Sequence, residues 1–373
     1  MNVAQLSSGY ASDIAAIEGF AALLGDGFEN PENIRAKVLF TIPEHPQHSF
    51  VLRYDDDRLI VSGDTEGKVD TQVTIPIATM HRIINEFETL DWRDPHIIGT
   101  ITFTGHLAHA NHLAKSCLRP SRGTMARFRK SERLSAAKGH RHLTKLDTLH
   151  QPTQRQILEA MEEGRPVVIT GLEPTQPRAD WTVDRLASCY GDAVISVGSA
   201  TQRQTLTNVI EDIKDFGLNP YGDMINGFAK PYTEGAALPE VMRPDFRPLF
   251  FDSEDFIVPQ LWLGSVPTHM PMSSLHRYPL TSFQLQIIGR KRFDLYSPDQ
   301  VDLIYPMKAY NNCQPCWFKP EVPDFNVYPK AREAKSISVT LHPGDLLVQP
   351  AGWFHQLRAL DSPDMSVSYS WRY

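Results

Sequence analysis

The strongest constraint on the fold is the pattern in the second half of the chain. From Ile257 onward, short runs of apolar and β-branched residues alternate with turns rich in Pro and Gly, and most of the 28 prolines lie after residue 150. Many short strands separated by such turns are typical of a β-sandwich or barrel. Helical patterns at residues 154–163, 181–190 and 207–217 come before them. The sequence therefore predicts an all-β domain with N-terminal helices.

The first third of the chain has a different pattern. Apolar residues at helical spacing, Ile17, Phe20 and Leu24, predict a first helix. Met80, Ile83 and Ile84 would share one face of a second helix. Alternating segments at residues 37–41, 49–54, 58–62, 69–75 and 97–104 predict strands, and residues from 105 to about 117 predict a closing helix. Residues 11–118 are therefore expected to form a compact α+β unit.

Charge separates the two regions. The 373-residue length predicts two domains. Residues 115–145 contain ten Lys or Arg and one acidic residue, a local net charge of +9, which leaves −16 elsewhere. We expect residues 119–149 to be an exposed basic linker, with a patch for anions or nucleic acid as the alternative.

Composition also excludes several classes of protein. A net charge of −7 argues against a general nucleic-acid-binding protein. No apolar run approaches the ~18 residues of a membrane-spanning helix. Four cysteines and an N-terminus without a signal-like pattern favour a cytoplasmic protein.

Two segments of the first region suggest a family. FVLRYDDDRLIVSGDTEGKVDTQVTIP and IIGTITFTGHLAHANHLAK, in this order, resemble the sterol-carrier-protein-type lipid-binding domain. The resemblance covers most of a predicted domain at residues 1–118. It implies an apolar tunnel for an acyl or sterol-like ligand. The alternative is an ordinary packed core that serves as a docking module.

Residues 150–373 resemble a second family. GRPVVITGL, VPQLWLGS, SSLHRYPLTSFQLQIIGRKRFDLYSPDQVDLIYP and LHPGDLLVQPAGWFHQL occur in order. Together they resemble the JmjC-like cupin group of iron(II)/2-oxoglutarate oxygenases, of the factor-inhibiting-HIF type. The resemblance implies a double-stranded β-helix, or jelly roll. Fe(II) and 2-oxoglutarate are its implied cofactors.

The resemblance also implies site residues. His276 and His355 match the two histidine ligands of the iron, and Lys291 matches the lysine that binds the far carboxylate of 2-oxoglutarate. Ser273 lies where a hydroxyl residue assists that lysine. Gln286 lies on the inward-facing period of the same segment as Lys291.

One position departs from the family pattern. The carboxylate two residues after His276 is replaced by Tyr278. Three interpretations stay open. Another group, for example His269, is the third ligand; the Tyr278 phenol or a water fills the position; or the domain no longer binds iron and serves for recognition.

The functional hypothesis is a non-haem iron oxygenase that oxidises a small or carrier-held substrate. A lipid or other apolar ligand would bind the N-terminal domain. The alternative is a cupin/sterol-carrier-like binding module without turnover. Cys313 and Cys316 form a C-x-x-C pair with no second pair to complete a zinc site, so an ordinary loop is expected.

Overall fold

A computed structural model describes residues 13–92, 94–172, 181–197, 203–218, 232–233, 235–246, 250–268 and 270–372. The chain divides into two compact units. The first comprises the chain up to Met125 with two returning segments, Pro306–Trp317 and Asp324–Pro329. The second comprises Ala126–Tyr305, Phe318–Pro323 and Lys330–Tyr373.

The first unit is an α+β fold, as the sequence predicted. Its elements are α1 (Asp13–Gly27), β1 (Lys37–Thr41), β2 (Phe50–Asp55), β3 (Arg58–Ser62), β4 (Thr71–Thr74), α2 (Ile77–Glu86), α3 (Pro95–Ile98), β5 (Thr102–Gly105) and α4 (Leu107–Ser116). The strands form one sheet in the order β3-β2-β1-β4-β5. Only β1 and β4 pair in parallel.

The apolar faces of these elements form the core of the first unit. Phe20 and Leu24 of α1 and Met80 and Ile83 of α2 are buried among strand residues such as Phe40. The helical spacing of these residues places each set on one face, which explains why the sequence identified both helices.

The rest of the chain contributes α5 (Arg122–Lys138), β6 (Asp147–His150), α6 (Gln154–Glu162), β7 (Val167–Thr170), α7 (Val183–Tyr190), β8 (Val194–Ser196), β9 (Arg203–Thr205), α8 (Leu206–Leu218), β10 (Ala236–Ala237), β11 (Gln260–Gly264), β12 (His276–Arg277), β13 (Ser282–Ile288), β14 (Lys291–Tyr296), β15 (Gln314–Pro315), β16 (Ile337–Leu341), β17 (Leu346–Gln349), β18 (Phe354–Ala359) and β19 (Asp364–Ser370). Of these, β15 belongs to the first unit.

Two sheets form the framework of the second unit. One runs in the order β10-β11-β19-β13-β17-β7-β6, and the other contains the adjacent strands β12-β18-β14-β16. Val168 and Leu347 of the large sheet pack with Phe293, Leu295 and Leu341 of the other. Strands that bury alternate residues between two sheets are those of the predicted jelly roll.

The expectation of an exposed linker at residues 119–149 is wrong for its central part. Helix α5 occupies 17 of these residues. Phe128 and Ser135 of α5 are buried, and the Ser135 hydroxyl donates to Asp299 at 2.8 Å. The high number of basic residues led to the expectation of an exposed linker. These charges lie on the exposed face of the helix, opposite the buried one.

Candidate metal and anion site

The two predicted iron ligands lie side by side. His276 in β12 and His355 in β18 are direct partners across an antiparallel strand pair. Their ring centroids are 4.2 Å apart, and both side chains are buried. Strand pairing therefore brings together two imidazoles that are 79 positions apart in the sequence. Their separation in the sequence does not by itself predict this contact.

Both imidazoles are held in their neutral form. Burial lowers the pKa of His276, and burial together with the neighbouring His276 lowers the pKa of His355 well below its usual range. The Ser274 carbonyl lies 2.7 Å from Nδ1 of His276. Because a carbonyl only accepts, Nδ1 of His276 is the protonated nitrogen and Nε2 has a lone pair to offer a metal.

The tautomer of His355 depends on Gln349. The Gln349 amide nitrogen lies 2.7 Å from Nδ1 of His355, while the buried oxygen Oε1 of Gln349 has no hydrogen-bond partner among the described residues. The Trp353 carbonyl lies 3.4 Å from the same Nδ1 and can only accept. A 180° flip of the Gln349 amide would let Oε1 also accept a hydrogen bond from Nδ1–H, and the lone pair of Nε2 of His355 would then be available to a metal.

Tyr278 stands beside the pair rather than between its rings. Its ring centroid is 5.2 Å from that of His276 and 6.3 Å from that of His355, and 40% of the residue is exposed. No cluster of three His, Cys, Asp or Glu that could hold a metal occurs within the described part of the chain. His269, the other proposed third ligand, lies outside the described residues.

Lys291 is fully buried and already has an anionic partner. Its Nζ lies 2.7 Å from Oδ1 of Asp364 and donates to the Ser366 hydroxyl at 2.7 Å. The Gln286 amide nitrogen donates to the other carboxylate oxygen of Asp364 at 2.9 Å. Burial raises the pKa of Asp364, and the charge of Lys291 opposes that effect. The structure thus places Gln286 and Lys291 in one buried polar cluster.

Lys291 and the histidine pair lie on the same face of the sheet that contains β12, β18, β14 and β16. His355 is the partner of Leu295 in β14, and Leu295 is four residues from Lys291. Residues four apart on a strand point to the same side and lie roughly 13 Å apart along it. Ser273 adds a buried hydroxyl that has no hydrogen-bond partner among the described residues.

These residues fit the implied cofactors in part. Two neutral imidazoles supply two of the ligand positions that non-haem iron uses. Among the described residues, no His, Cys, Asp or Glu completes the set with a third ligand. An unpaired buried hydroxyl at Ser273 suits a polar ligand. For 2-oxoglutarate, the cation that would bind its far carboxylate is neutralised by Asp364, so this arrangement does not accept the co-substrate without a change at that ion pair.

Sequence reasoning missed Asp364 and Gln349. A signal for the first did exist, because a lysine on the inward face of an apolar strand needs an anion if it is buried. Asp361 lies just before the last strand, and Asp364 is its first residue. Nothing in the sequence indicated the contact between Gln349 and His355.

The first unit holds a small apolar cavity of about 140 Å³, lined among others by Phe20, Trp92 and Leu107. Pockets for small molecules measure roughly 300–1,000 Å³.

Cys313 and Cys316 are free thiols. No described helix has the length and apolar character required to cross a bilayer.

Comparison with known proteins identifies the C-terminal region. Residues 236–373 match the family described as "Cupin-like domain". This region is similar to cupin-like domains. The match covers β10 to the end of the chain and therefore includes His276, Lys291 and His355.

The chain is also similar to curated proteins. It is 30% identical over 244 residues to "Lysine-specific demethylase 8" of Xenopus tropicalis, which covers 61% of this chain and 53% of that protein. It is 33% identical over 113 residues to human "HSPB1-associated protein 1", covering 30% and 22%. A third relative, "Lysine-specific demethylase JMJ31" of Arabidopsis thaliana, is 29% identical over 143 residues, covering 37% and 25%. The chain spans about half the length of the first relatives it matches.

Proposed function

We propose that the cupin-like domain is an oxygenase-type, non-haem iron domain with an atypical metal site. The observation that supports this most is the buried, neutral pair His276–His355 on adjacent strands. These two residues would hold the iron. When bound together with 2-oxoglutarate, the metal would supply oxidation of a substrate C–H bond coupled to decarboxylation of the oxoacid.

The names of the relatives favour a protein substrate over the small or carrier-held substrate expected from the sequence. Two of the relatives above are named as demethylases of lysine, and one as a protein associated with HSPB1. We therefore infer a protein side chain as the substrate class. A cytoplasmic location stays part of this proposal, and the four free thiols agree with a reducing compartment.

Metal binding is the decisive test. Full-length protein is titrated anaerobically with Fe(II), and with Co(II) as a spectroscopic probe. We expect one equivalent to bind, and His276→Ala and His355→Ala each to weaken binding by at least about tenfold. His342→Ala, at an exposed histidine of the same domain, is the control and should bind as wild type does. Equal metal content in wild type and both site variants would refute the proposal.

One observation favours a second function, a binding module without turnover. Lys291 is occupied by Asp364, and Tyr278 replaces the usual carboxylate. Conversion of 2-oxoglutarate to succinate by iron-loaded protein separates the two functions. Succinate formation that depends on His276 supports the oxygenase. Bound metal without succinate supports the binding module.

For the first unit, we infer a docking role rather than that of a lipid carrier, because its cavity of about 140 Å³ is small for an acyl or sterol ligand. Native mass spectrometry of gently purified full-length protein tests this inference. We expect the mass of the chain alone. A co-purified lipid would restore the lipid-carrier hypothesis.

A further inference from the structure

The partners of Lys291 form a closed charge system inside the cupin-like domain. Both Lys291 and Asp364 are almost completely buried. Among the described residues, the polar groups in contact with the Lys291 ammonium are the Asp364 carboxylate and the Ser366 hydroxyl. A buried ion pair of this kind compensates its own charge. The charge of Lys291 is therefore already neutralised by a residue of the protein.

Asp364 is held in this position from both sides. It is the first residue of β19, where the pairing with β13 shifts register between Gln286 and Ile288. Gln286 orients one of its oxygens. Just before it, Asp361 accepts hydrogen bonds of 2.8 to 2.9 Å from the backbone nitrogen and the guanidinium of Arg290. The loop that delivers Asp364 is thus fastened to the turn that delivers Lys291.

We propose that Asp364 is an internal competitor for the anion position at Lys291 and weakens the binding of 2-oxoglutarate or a similar dicarboxylate there. A second carboxylate that reached Nζ of Lys291 would meet the Asp364 carboxylate in the same water-excluded space. Like charges brought together in such a space repel strongly. The ligand must therefore displace Asp364 before it can use the lysine. This inference rests on the proposed role of Lys291 as an anion anchor and not on metal binding.

Removal of the carboxylate tests the inference. 2-Oxoglutarate is titrated into metal-free full-length protein, with calorimetry and thermal shift as readouts. We expect Asp364→Ala to bind it roughly tenfold or more tightly than wild type, because the variant has an uncompensated cation beside a space the size of a carboxylate. Acetate should raise the melting temperature of the same variant. The double variant Lys291→Met/Asp364→Ala should show neither effect.

Asp294→Ala is the matched control. Asp294 lies on the same strand as Lys291, is also buried, and is paired with Arg292 and Arg358 on the opposite face. It should bind 2-oxoglutarate as wild type does. If Asp364→Ala does not fold, Asp364→Asn, which conserves the shape of the side chain, replaces it.

Two results would overturn the inference: wild-type binding as tight as that of the Asp364 variants, or no measurable binding by any folded Asp364 variant. Neither result alters the metal titration of His276 and His355, so the failure of this inference and the failure of the proposed oxygenase are distinguishable.

Discussion

Tyr278 stands where the family pattern has a carboxylate, beside the histidine pair that we propose as the metal site. Its ring lies next to that of His276, yet 40% of the residue is exposed. A bulky phenol does not match the short carboxylate that the family pattern has at this position. In the proposed site, the affinity for iron would therefore depend on the group that supplies the third ligand.

A carboxylate at this position should complete the site. We expect Tyr278→Asp to raise affinity for Fe(II) and Co(II) by about tenfold or more, because two imidazoles and one carboxylate form the usual facial triad. Tyr278→Phe removes only the hydroxyl and serves as the control; a loss of affinity in this variant would identify the phenol as the native ligand. Unchanged affinity in Tyr278→Asp would mean that another group already fills the position.

Because the Lys291–Asp364 pair is buried, we expect a large loss of folding stability when one partner is removed. Lys291→Met leaves a buried carboxylate without its cation, which should lower the free energy of unfolding by about 3–5 kcal/mol. Lys214→Met removes a half-exposed ion pair with Asp184 and should cost about 1 kcal/mol or less.

Urea unfolding of the two variants gives the comparison. The double variant Lys291→Met/Asp364→Leu should recover much of the loss, since it leaves no unpaired charge. Equal stability of Lys291→Met and wild type would show that the pair is not buried as described.

At the scale of elements, helix α5 supports the strand that presents His276. Arg277 is buried, and its guanidinium pairs with Glu132 of α5 at 2.8 Å. It also lies over the rings of Phe128 in α5 and Phe354 in β18, at 4.0 and 4.5 Å. The helix therefore fixes β12 beside β18.

Glu132→Ala should loosen this support. The buried guanidinium of Arg277 loses the Glu132 carboxylate, which should lower the free energy of unfolding by about 1–3 kcal/mol. Metal affinity should fall as well, because His276 is the neighbour of Arg277 in β12. Glu159→Ala in α6, which removes an exposed pair with Arg155, should change stability by roughly 0.5 kcal/mol or less. Similar losses in both variants would contradict a role for α5.

Apolar periodicity predicted most helices and strands, but it did not predict which side chains contact each other. The helices and strands around Phe20, Met80 and Leu285 follow from apolar spacing, because burial on one face leaves a period in the sequence. The helix at Phe128 was hidden by the charges around it. The pair His276 and His355 came from family motifs. The apolar neighbours of Lys291 indicated that it needs an anion if it is buried, but the choice of Asp364 depends on a strand register that the sequence does not display.

At the scale of the whole molecule, each unit has its own core, and each contains partly or fully buried histidines. Burial lowers the pKa of His109 and His112 in the first unit and of His140, His276 and His355 in the second. In the unfolded chain these side chains take up protons near pH 6.5. The folded protein resists that uptake, so the unfolded state binds more protons below this pH.

Stability should therefore fall as the pH falls from 7.5 to 5.5, with each such histidine contributing at most about 1.4 kcal/mol per pH unit. The carboxyls whose pKa is lowered, Asp13, Asp94 and Asp361, lose their contribution only below about pH 4 and do not produce this slope. Thermal unfolding followed across this range measures it. His355→Gln should flatten the slope of the second unit, and His342→Gln, at an exposed histidine, should not. A constant melting temperature between pH 7.5 and 5.5 would contradict the burial of neutral histidines on which the proposed metal site depends.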